Sequence, residues 1–550
     1  MKRDIEALSS QEFDIVIVGG GISGACIAWD AITRGLKVAL IERKDFGHAT
    51  SMATSKLIHG GLRYLAQYQF GVVRESLRER RFFEKNLPHL IFPLGFLLPI
   101  YDFTPTSRFL LGAGLTLYDL LAYDKNELSD PDKHLANHKW LSKEKALEVD
   151  PNLNPKGLKG AFYYYDGLNR LPERTNMEFI TSSAAHGAVI ANYTEAVDFL
   201  KETASDTVFV KGIRAKDLET GKEFDIHAKV VINASGPWGD LVLSKLHKNP
   251  VRKIIRSKGI HLIFPKFGSE SAITFETKDK HHFFIIPWLN YSLIGTTDTP
   301  FEDDPDNLKV TRKEAEDFMQ LVNDHYPAAN LTYDKILHAY AGIRPLVADS
   351  ESTSTYEASR KHEIVDHNKL ENVYGLISVF GGKYTTSRSL AEETINHVVK
   401  EYGLKANPCV TKDTPLDGGN LPVRFSIFLD ESVKEYGPLY GEQLVRNLVY
   451  RYGVHFTKIL NKIKENPEWK KPLEQIFYST PAEIEYAISE ESALHLDDLL
   501  LRRIGLGNTG EVNQSLLEKI ATQMGHFLGW DKSRIQEEVS HYQKTVRILD

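Results

Sequence analysis

The sequence Gly19-Gly-Gly-Ile-Ser-Gly24 puts glycine in all three slots of G-x-G-x-x-G. Each slot has its own task at a dinucleotide site. Gly19 lets the chain turn, Gly21 lets the backbone approach a pyrophosphate, and Gly24 lets a helix pack closely on its strand. A helix beginning there offers unpaired N–H groups and a partial positive charge to phosphate oxygens. Glu42 ends the next apolar run, where a carboxylate can accept from ribose hydroxyls and would repel a 2′-phosphate. This chemistry needs a strand before the glycines and a helix after them. Residues 13–18 read as a buried parallel strand, 25–34 as a helix stopped by Gly35, and 37–41 as the next strand.

The residues after Glu42 favour FAD over NAD. Thr50, Ser51, Thr54, Ser55 and Lys56 lead into His59-Gly60-Gly61, a polar run able to line a flavin. A nicotinamide domain would instead continue with another helix–strand unit. Far downstream, Phe380-Gly-Gly-Lys-Tyr-Thr385 lies between an expected strand, 376–380, and an expected helix, 387–402. The N-terminus of that helix could stabilise negative charge on a reduced flavin ring, with Gly381, Gly382, Lys383 and Thr385 at its edge. As pattern alone, the segment reads equally as an ordinary strand–helix turn.

The elements that must position these residues are distributed along the chain. A charged helix is expected near 70–85 and an amphipathic one over 109–123. Two extended runs between 208 and 232 flank the turn Glu219-Thr-Gly-Lys222, a hairpin signal. Short β-rich runs at 261–264, 272–275, 283–286 and 292–294 suit an antiparallel sheet covering a substrate. The polar stretch 405–422 reads as a linker, and the remainder to residue 550 as mostly helical. The fold class expected is α/β: a Rossmann-like FAD domain, an antiparallel substrate sheet of the D-amino-acid-oxidase or glutathione-reductase type, and a C-terminal helical domain. The boundaries expected are 1–85, 155–250 and 345–404 for FAD, 86–154 and 251–344 for substrate, and 405–550 for the end domain.

A chain of 550 residues exceeds one compact core. A net charge of −7 gives no blanket positive field, which argues against nucleic acid as a partner. Cys26 and Cys409 have no metal-type or redox-type spacing and suit a reducing compartment. Residues 1–12 lack an apolar core and do not read as a signal peptide. The apolar stretch 91–123 is broken by Pro93, Pro99, Pro105, Asp102 and Arg108 before a membrane-spanning length.

The run Ala49-Thr-Ser-Met-Ala-Thr-Ser-Lys-Leu-Ile-His-Gly-Gly-Leu-Arg-Tyr-Leu65 closely resembles the FAD-dependent, quinone-linked glycerol-3-phosphate dehydrogenases and their oxidase relatives. Further matches lie in order along the chain: Asn233-Ala-Ser-Gly-Pro-Trp238, Ile286-Pro-Trp288, Ile294-Gly-Thr-Thr-Asp298, Gly342-Ile-Arg-Pro-Leu346, Ser378-Val-Phe-Gly-Gly-Lys383 and Asp497-Asp-Leu-Leu-Leu-Arg-Arg503. The resemblance covers nearly the whole chain. It implies oxidation of sn-glycerol 3-phosphate to dihydroxyacetone phosphate by hydride transfer from C2 to flavin N5, with electrons passing to a membrane quinone. It implies phosphate donors at Arg63, Arg344 and Arg360, substrate-orienting groups at Tyr64 and Thr296, a base at His261, and a charge-holding Lys383. It adds Ser23, Ala234, Gly236 and Trp238 to the cofactor residues.

The resemblance also implies a peripheral protein on the inner face of the cytoplasmic membrane, and it allows a homodimer. Phe92, Leu94, Phe96 to Leu98 and Phe109-Leu-Leu111 could form a lipid-facing surface, with Arg78, Arg80 and Arg81 ready for anionic headgroups; core packing is the equal alternative. One segment departs from the family. Tyr164-Tyr-Asp-Gly-Leu-Asn-Arg-Leu-Pro-Glu-Arg174 lacks the usual aspartate pair, and Arg170, Pro172 and Glu173 alter the surroundings of the expected substrate sheet. A related phosphorylated polyol therefore stays open as the substrate. So do oxygen as acceptor, a flavoprotein amine or amino-acid oxidase, and a non-catalytic flavin-binding scaffold.

Overall fold

The strand Glu12–Val18 lies at the centre of the first sheet, with Val38–Ile41 on one side and Glu223–Asn233 on the other, all parallel. In the computed structural model residues 1–65, 67–246, 254–278, 281–347 and 362–548 are described. Among them, this sheet runs Glu363–Asp366, Leu376–Phe380, Glu223–Asn233, Glu12–Val18, Val38–Ile41, Val189–Ala191. Its inner strands are apolar on both faces, as a parallel sheet covered on both sides requires. The expected hairpin forms from Thr207–Asp217 and Glu223–Asn233, and Thr194–Ala204 pairs beside it.

The helix Ile22–Thr33 starts directly on the glycine turn, three residues earlier than its apolar spacing indicated. Glycine and serine mask the start because they fill a cofactor edge rather than an apolar stripe. Arg34 and then Gly35, at φ +82°, end the helix. Its Trp29 is completely buried among the strands and helices around it. Burying an indole of this size contributes at most about 4–6 kcal/mol. Pro172–Ala185 and Ser387–Glu401 pack on the same helix.

The second sheet is mostly antiparallel. Ile254–Pro265, Tyr291–Gly295, His282–Trp288 and Ala272–Glu276 are neighbours, and they contain the four expected β-rich runs. The sheet continues through Ile91–Tyr101 and Leu158–Asn169 to Leu57–Ile58. It thus draws strands from 57–58 and 158–169, stretches that the expected boundaries give to the cofactor side. Eleven paired positions between Ile91–Tyr101 and Leu158–Asn169 fix this placement, and that long-range pairing has no local signal. His338–Val347 completes the other edge against Ile254–Pro265.

The apolar stretch 91–123 divides in two. Leu94, Phe96, Leu97 and Leu98 are buried within a strand, whereas Phe109 and Leu110 stand exposed on the helix Arg108–Leu121. No helix among the described residues is long and apolar enough to cross a membrane.

The stretch 405–422 is a packed strap rather than a linker. Cys409 donates to Asp30, Leu416 is fully buried, and Gly418 donates to Glu178. Polar and glycine-bearing sequence suits such close packing as well as it suits solvent. Beyond it, helices from Phe425–Tyr440 to Lys532–Val546 enclose two apolar clusters of their own.

Candidate active site

Both sheets contribute to one cavity of about 920 Å3. One end is the glycine turn. Gly19 holds φ +115°, and a methyl group there would lie 2.6 Å from the Ala234 carbonyl oxygen. Gly21 faces the cavity, while Gly24 lies behind it, pressed on the Gly19 carbonyl. The helix N-terminus at Ile22 has one N–H held by Ser51 Oγ, at 2.9 Å. Glu42 accepts from Gly20 N at 2.7 Å and Lys44 N at 2.9 Å, which aims its carboxylate along the cavity wall. Burial raises its pKa, and these two N–H groups work against the shift. Ala234, Gly236 and Trp238 also line the cavity, and Trp238 Nε1 is buried without a hydrogen-bond partner among the described residues.

The middle of the cavity is bounded by Thr50, Ser51, Ser55 and His59 on one side and Gly381, Gly382, Lys383 and Thr385 on the other. Gly381 and Gly382 take φ +69° and +85°, left-handed conformations that bring the chain into the helix Ser387–Glu401. His59 N donates to Thr385 Oγ1 at 3.2 Å, tying the two walls together. Burial drives the His59 imidazole down to about 4, so it is neutral at pH 7.

Two groups of side chains suited to a phosphorylated alcohol also line the cavity. Lys383 Nζ donates to Ser76 Oγ at 2.7 Å and sits 4.2 Å over the Tyr64 ring, with the Arg63 guanidinium 5.3 Å from that ring. Arg344 bonds Thr296 Oγ1 at 2.8 Å and Ser257 Oγ at 3.2 Å, with Asp298 at 3.6 Å. His261 Nε2 is 2.8 Å from Ser55 Oγ, and the ring stacks on Tyr340. Its Nδ1 has no hydrogen-bond partner among the described residues. Burial, reinforced by the positive charges of Arg344 and Lys56, holds His261 well below the usual imidazole value. It is therefore a neutral ring at pH 7. Gly295 leaves the space for it, since a methyl group there would collide with the imidazole.

Three expected cofactor residues do not line the cavity. Gly24 packs helix on strand behind it. Gly60 is turned inward, donating to Tyr118 Oη at 2.9 Å and Asp166 Oδ1 at 3.3 Å. Lys56, at φ +55°, points away into the protein, where it pairs with Glu173 at 3.1 Å and lies 4.5 Å over Trp288. A buried ammonium needs such a partner, and Glu173 supplies it. Arg360 lies outside the described residues.

Of the departing segment Tyr164 lines the cavity, but its altered residues Arg170, Pro172 and Glu173 do not. Arg170 stacks on Tyr450, Pro172 opens the helix Pro172–Ala185, and Arg174 Nη1 donates to both Glu491 oxygens at 2.7 and 2.8 Å. Arg170 and Arg174 thus meet the C-terminal domain, whereas Glu173 pairs with Lys56. Among the arginines expected at a lipid surface, Arg80 is buried against Asp166 at 2.5 Å, and Arg81 is tied to Asp124 and Glu127.

Cavity residues that the sequence did not single out include Glu276, His281 and His282. Burial lowers His282 to about 4. The doublet His281-His282 beside a β-rich run was their one local signal.

The walls suit an extended dinucleotide with a ring system: a glycine turn at a helix N-terminus, a carboxylate beside it, and a second helix start across the cavity. Comparison with known proteins agrees. The family described as FAD dependent oxidoreductase matches residues 14–394, and the C-terminal domain of alpha-glycerophosphate oxidase matches residues 409–535. The solved glycerol-3-phosphate dehydrogenase from Bacillus halodurans, complexed with FAD, is similar with a TM-score of 0.78 and 27% identity, over 98% of this chain and 96% of that one. The class is thus an FAD-dependent oxidoreductase. A Synechocystis sp. glycerol-3-phosphate dehydrogenase is 32% identical over 98% of both chains. The human mitochondrial glycerol-3-phosphate dehydrogenase is 35% identical over 98% of this chain and 74% of its own length. The chain belongs to the glycerol-3-phosphate dehydrogenase family.

Proposed function

We propose that this enzyme oxidises sn-glycerol 3-phosphate to dihydroxyacetone phosphate and passes the electrons to a quinone at a membrane surface. The observation that carries the reading is that Arg63, Tyr64, Lys383, His261, Thr296 and Arg344 all line the one cavity that the glycine turn also lines. FAD, when bound, supplies the hydride acceptor. Gly19, Gly21, Ser23, the Ile22 helix start and Glu42 hold its nucleotide half, and Thr50, Ser51, Ser55, Gly381, Gly382 and Thr385 hold the ring end. Arg63 and Arg344 grip the phosphate dianion, for which forked donors are suited. Thr296, already hydrogen-bonded to Arg344, orients the alcohol. His261 accepts the C2 hydroxyl proton as the hydride leaves. Lys383 holds negative charge that develops at the substrate oxygen, and would face the flavin ring when FAD is bound.

The membrane reading rests on the exposed side chains Phe109, Leu110 and Leu120 of the helix Arg108–Leu121, with Tyr68 and Tyr123 also exposed. Leu111 of the same helix lines the cavity. The test is anaerobic mixing of the flavin-loaded protein with sn-glycerol 3-phosphate. The oxidised-flavin absorbance should bleach, and an unchanged spectrum sinks the substrate assignment. Reoxidation by a quinone analogue should then outpace reoxidation by oxygen. Faster reoxidation by oxygen makes the protein an oxidase.

A further inference from the structure

The C-terminal helical domain does not touch the cavity with a broad surface, yet it reaches the loop that builds one cavity wall. Asp45 is fully buried three residues after Glu42 and just before the cavity-lining run from Gly47 to Ser51. Its two oxygens accept from Arg503 Nη2 at 2.7 Å, Arg503 Nη1 at 2.8 Å, Arg502 Nε at 2.6 Å and Asn192 Nδ2 at 3.1 Å. Both arginines belong to the segment Asp498–Arg503, a π-helical stretch in which Ile504 N bonds back to Leu499 O at 3.0 Å. That wider turn lets consecutive side chains reach one carboxylate, and such turns recur at functional positions.

The arginines are themselves held. Arg502 bonds Asp497 at 2.9 Å and Asp498 at 2.6 Å, and Arg503 donates to the Glu491 carbonyl at 2.9 Å. Asp498 in turn accepts from Tyr193 Oη at 2.6 Å, returning the network to the first sheet's side. Met52, further along the same loop, packs on the apolar cluster of the end domain. The loop has a second anchor in Gly47 N on Gly20 O at 3.1 Å, and Asn176 Nδ2 donates to that same carbonyl.

We propose that Arg502 and Arg503 are positioning residues for the cofactor: the end domain clamps Asp45 and so keeps the Glu42–Ser55 loop in the shape that retains FAD. A buried carboxylate bound by two fixed guanidiniums admits few alternative placements, because leaving either partner behind strands a charge in the interior. The loop anchored on it cannot swing open while the clamp holds. This assigns the end domain a task that needs the cofactor and is independent of which alcohol is oxidised.

The experiment tracks FAD release from the full-length, flavin-loaded protein by the rise in free-flavin fluorescence after dilution, well below each variant's melting temperature. Asp45→Asn and Arg503→Met should release FAD at least about tenfold faster than the unaltered protein, equivalent to about 1.4 kcal/mol. Arg503→Lys keeps the charge without the fork and should fall between, which serves if the other two fail to fold. The control is Glu483→Gln, which breaks a buried pair with Arg451 inside the end domain, away from the loop. It should lower thermal stability while leaving FAD release unchanged. Unaltered release in Arg503→Lys and the folded clamp variants would overturn the proposal. So would equally fast release from Glu483→Gln, which would mean that any loosening of the end domain frees the cofactor. Failure of the substrate assignment leaves this result untouched, because release is read without substrate.

Discussion

Acidification distinguishes a buried neutral His261 from an ordinary surface histidine. With an unperturbed value near 6.5, lowering the pH from about 7.5 to about 5.5 would reduce the neutral fraction about tenfold, and a rate depending on it would drop in step. His261 is instead held well below that value by burial, with Arg344 and Lys56 adding unfavourable positive charge. Both causes have the same sign: they disfavour the imidazolium, so the ring stays neutral and competent as pH falls through 6.5. The maximal rate of flavin reduction by glycerol 3-phosphate, measured anaerobically by stopped flow, should therefore change less than about twofold over that range. Saturating substrate is essential, since the phosphate has its own ionisation near pH 6, which affects binding. His261→Asn should lower the plateau rate by about 100- to 10,000-fold, the usual range for losing a general base. An acid limb near pH 6.5 that vanishes in His261→Asn would refute the electrostatic reasoning. A plateau unaffected by the substitution would refute the base assignment itself.

Arg344→Ala should raise KM for glycerol 3-phosphate by orders of magnitude while changing turnover of bare glycerol little; equal losses on both would argue against a phosphate contact. Glu42→Ala removes the acceptor of two backbone N–H groups at the nucleotide end, and charge-assisted bonds of this kind are worth about 1.5–3 kcal/mol each. FAD titration should show affinity weakened by about tenfold or more, and unchanged binding would remove Glu42 from the site. Tyr118→Phe deletes the hydroxyl that joins Gly60 N to Asp166 Oδ2, at 2.9 and 2.6 Å. It should cost about 1–3 kcal/mol in denaturant unfolding, and an unaltered midpoint would mean that the bridge is dispensable.

The glycine turn, its flanking strands and the acid after them were legible because they occupy about thirty consecutive residues and each obeys a local rule. The four β-rich runs of the second sheet were legible for the same reason. Lys56 was misread because its neighbours Ser55 and Leu57 do line the cavity, whereas its own left-handed backbone turns it toward Glu173. Arg170–Arg174 looked like an altered substrate wall, and its partners Tyr450 and Glu491 lie hundreds of residues away. Gly60 reads as part of a flavin-lining run, but its N–H is held by a buried hydroxyl on the helix Arg108–Leu121. Composition names the residues that can do such things and leaves open which distant element they meet.

The clamp on Asp45 also orders the protein's birth. Arg503 comes 458 residues after Asp45. At about 5–20 residues per second, a ribosome supplies Arg503 roughly 20–90 s after Asp45. Through that interval the glycine turn can already exist while the loop beside it lacks its two guanidiniums. Final shaping of the cofactor wall is then a late event in synthesis, completed only after Arg503 has emerged.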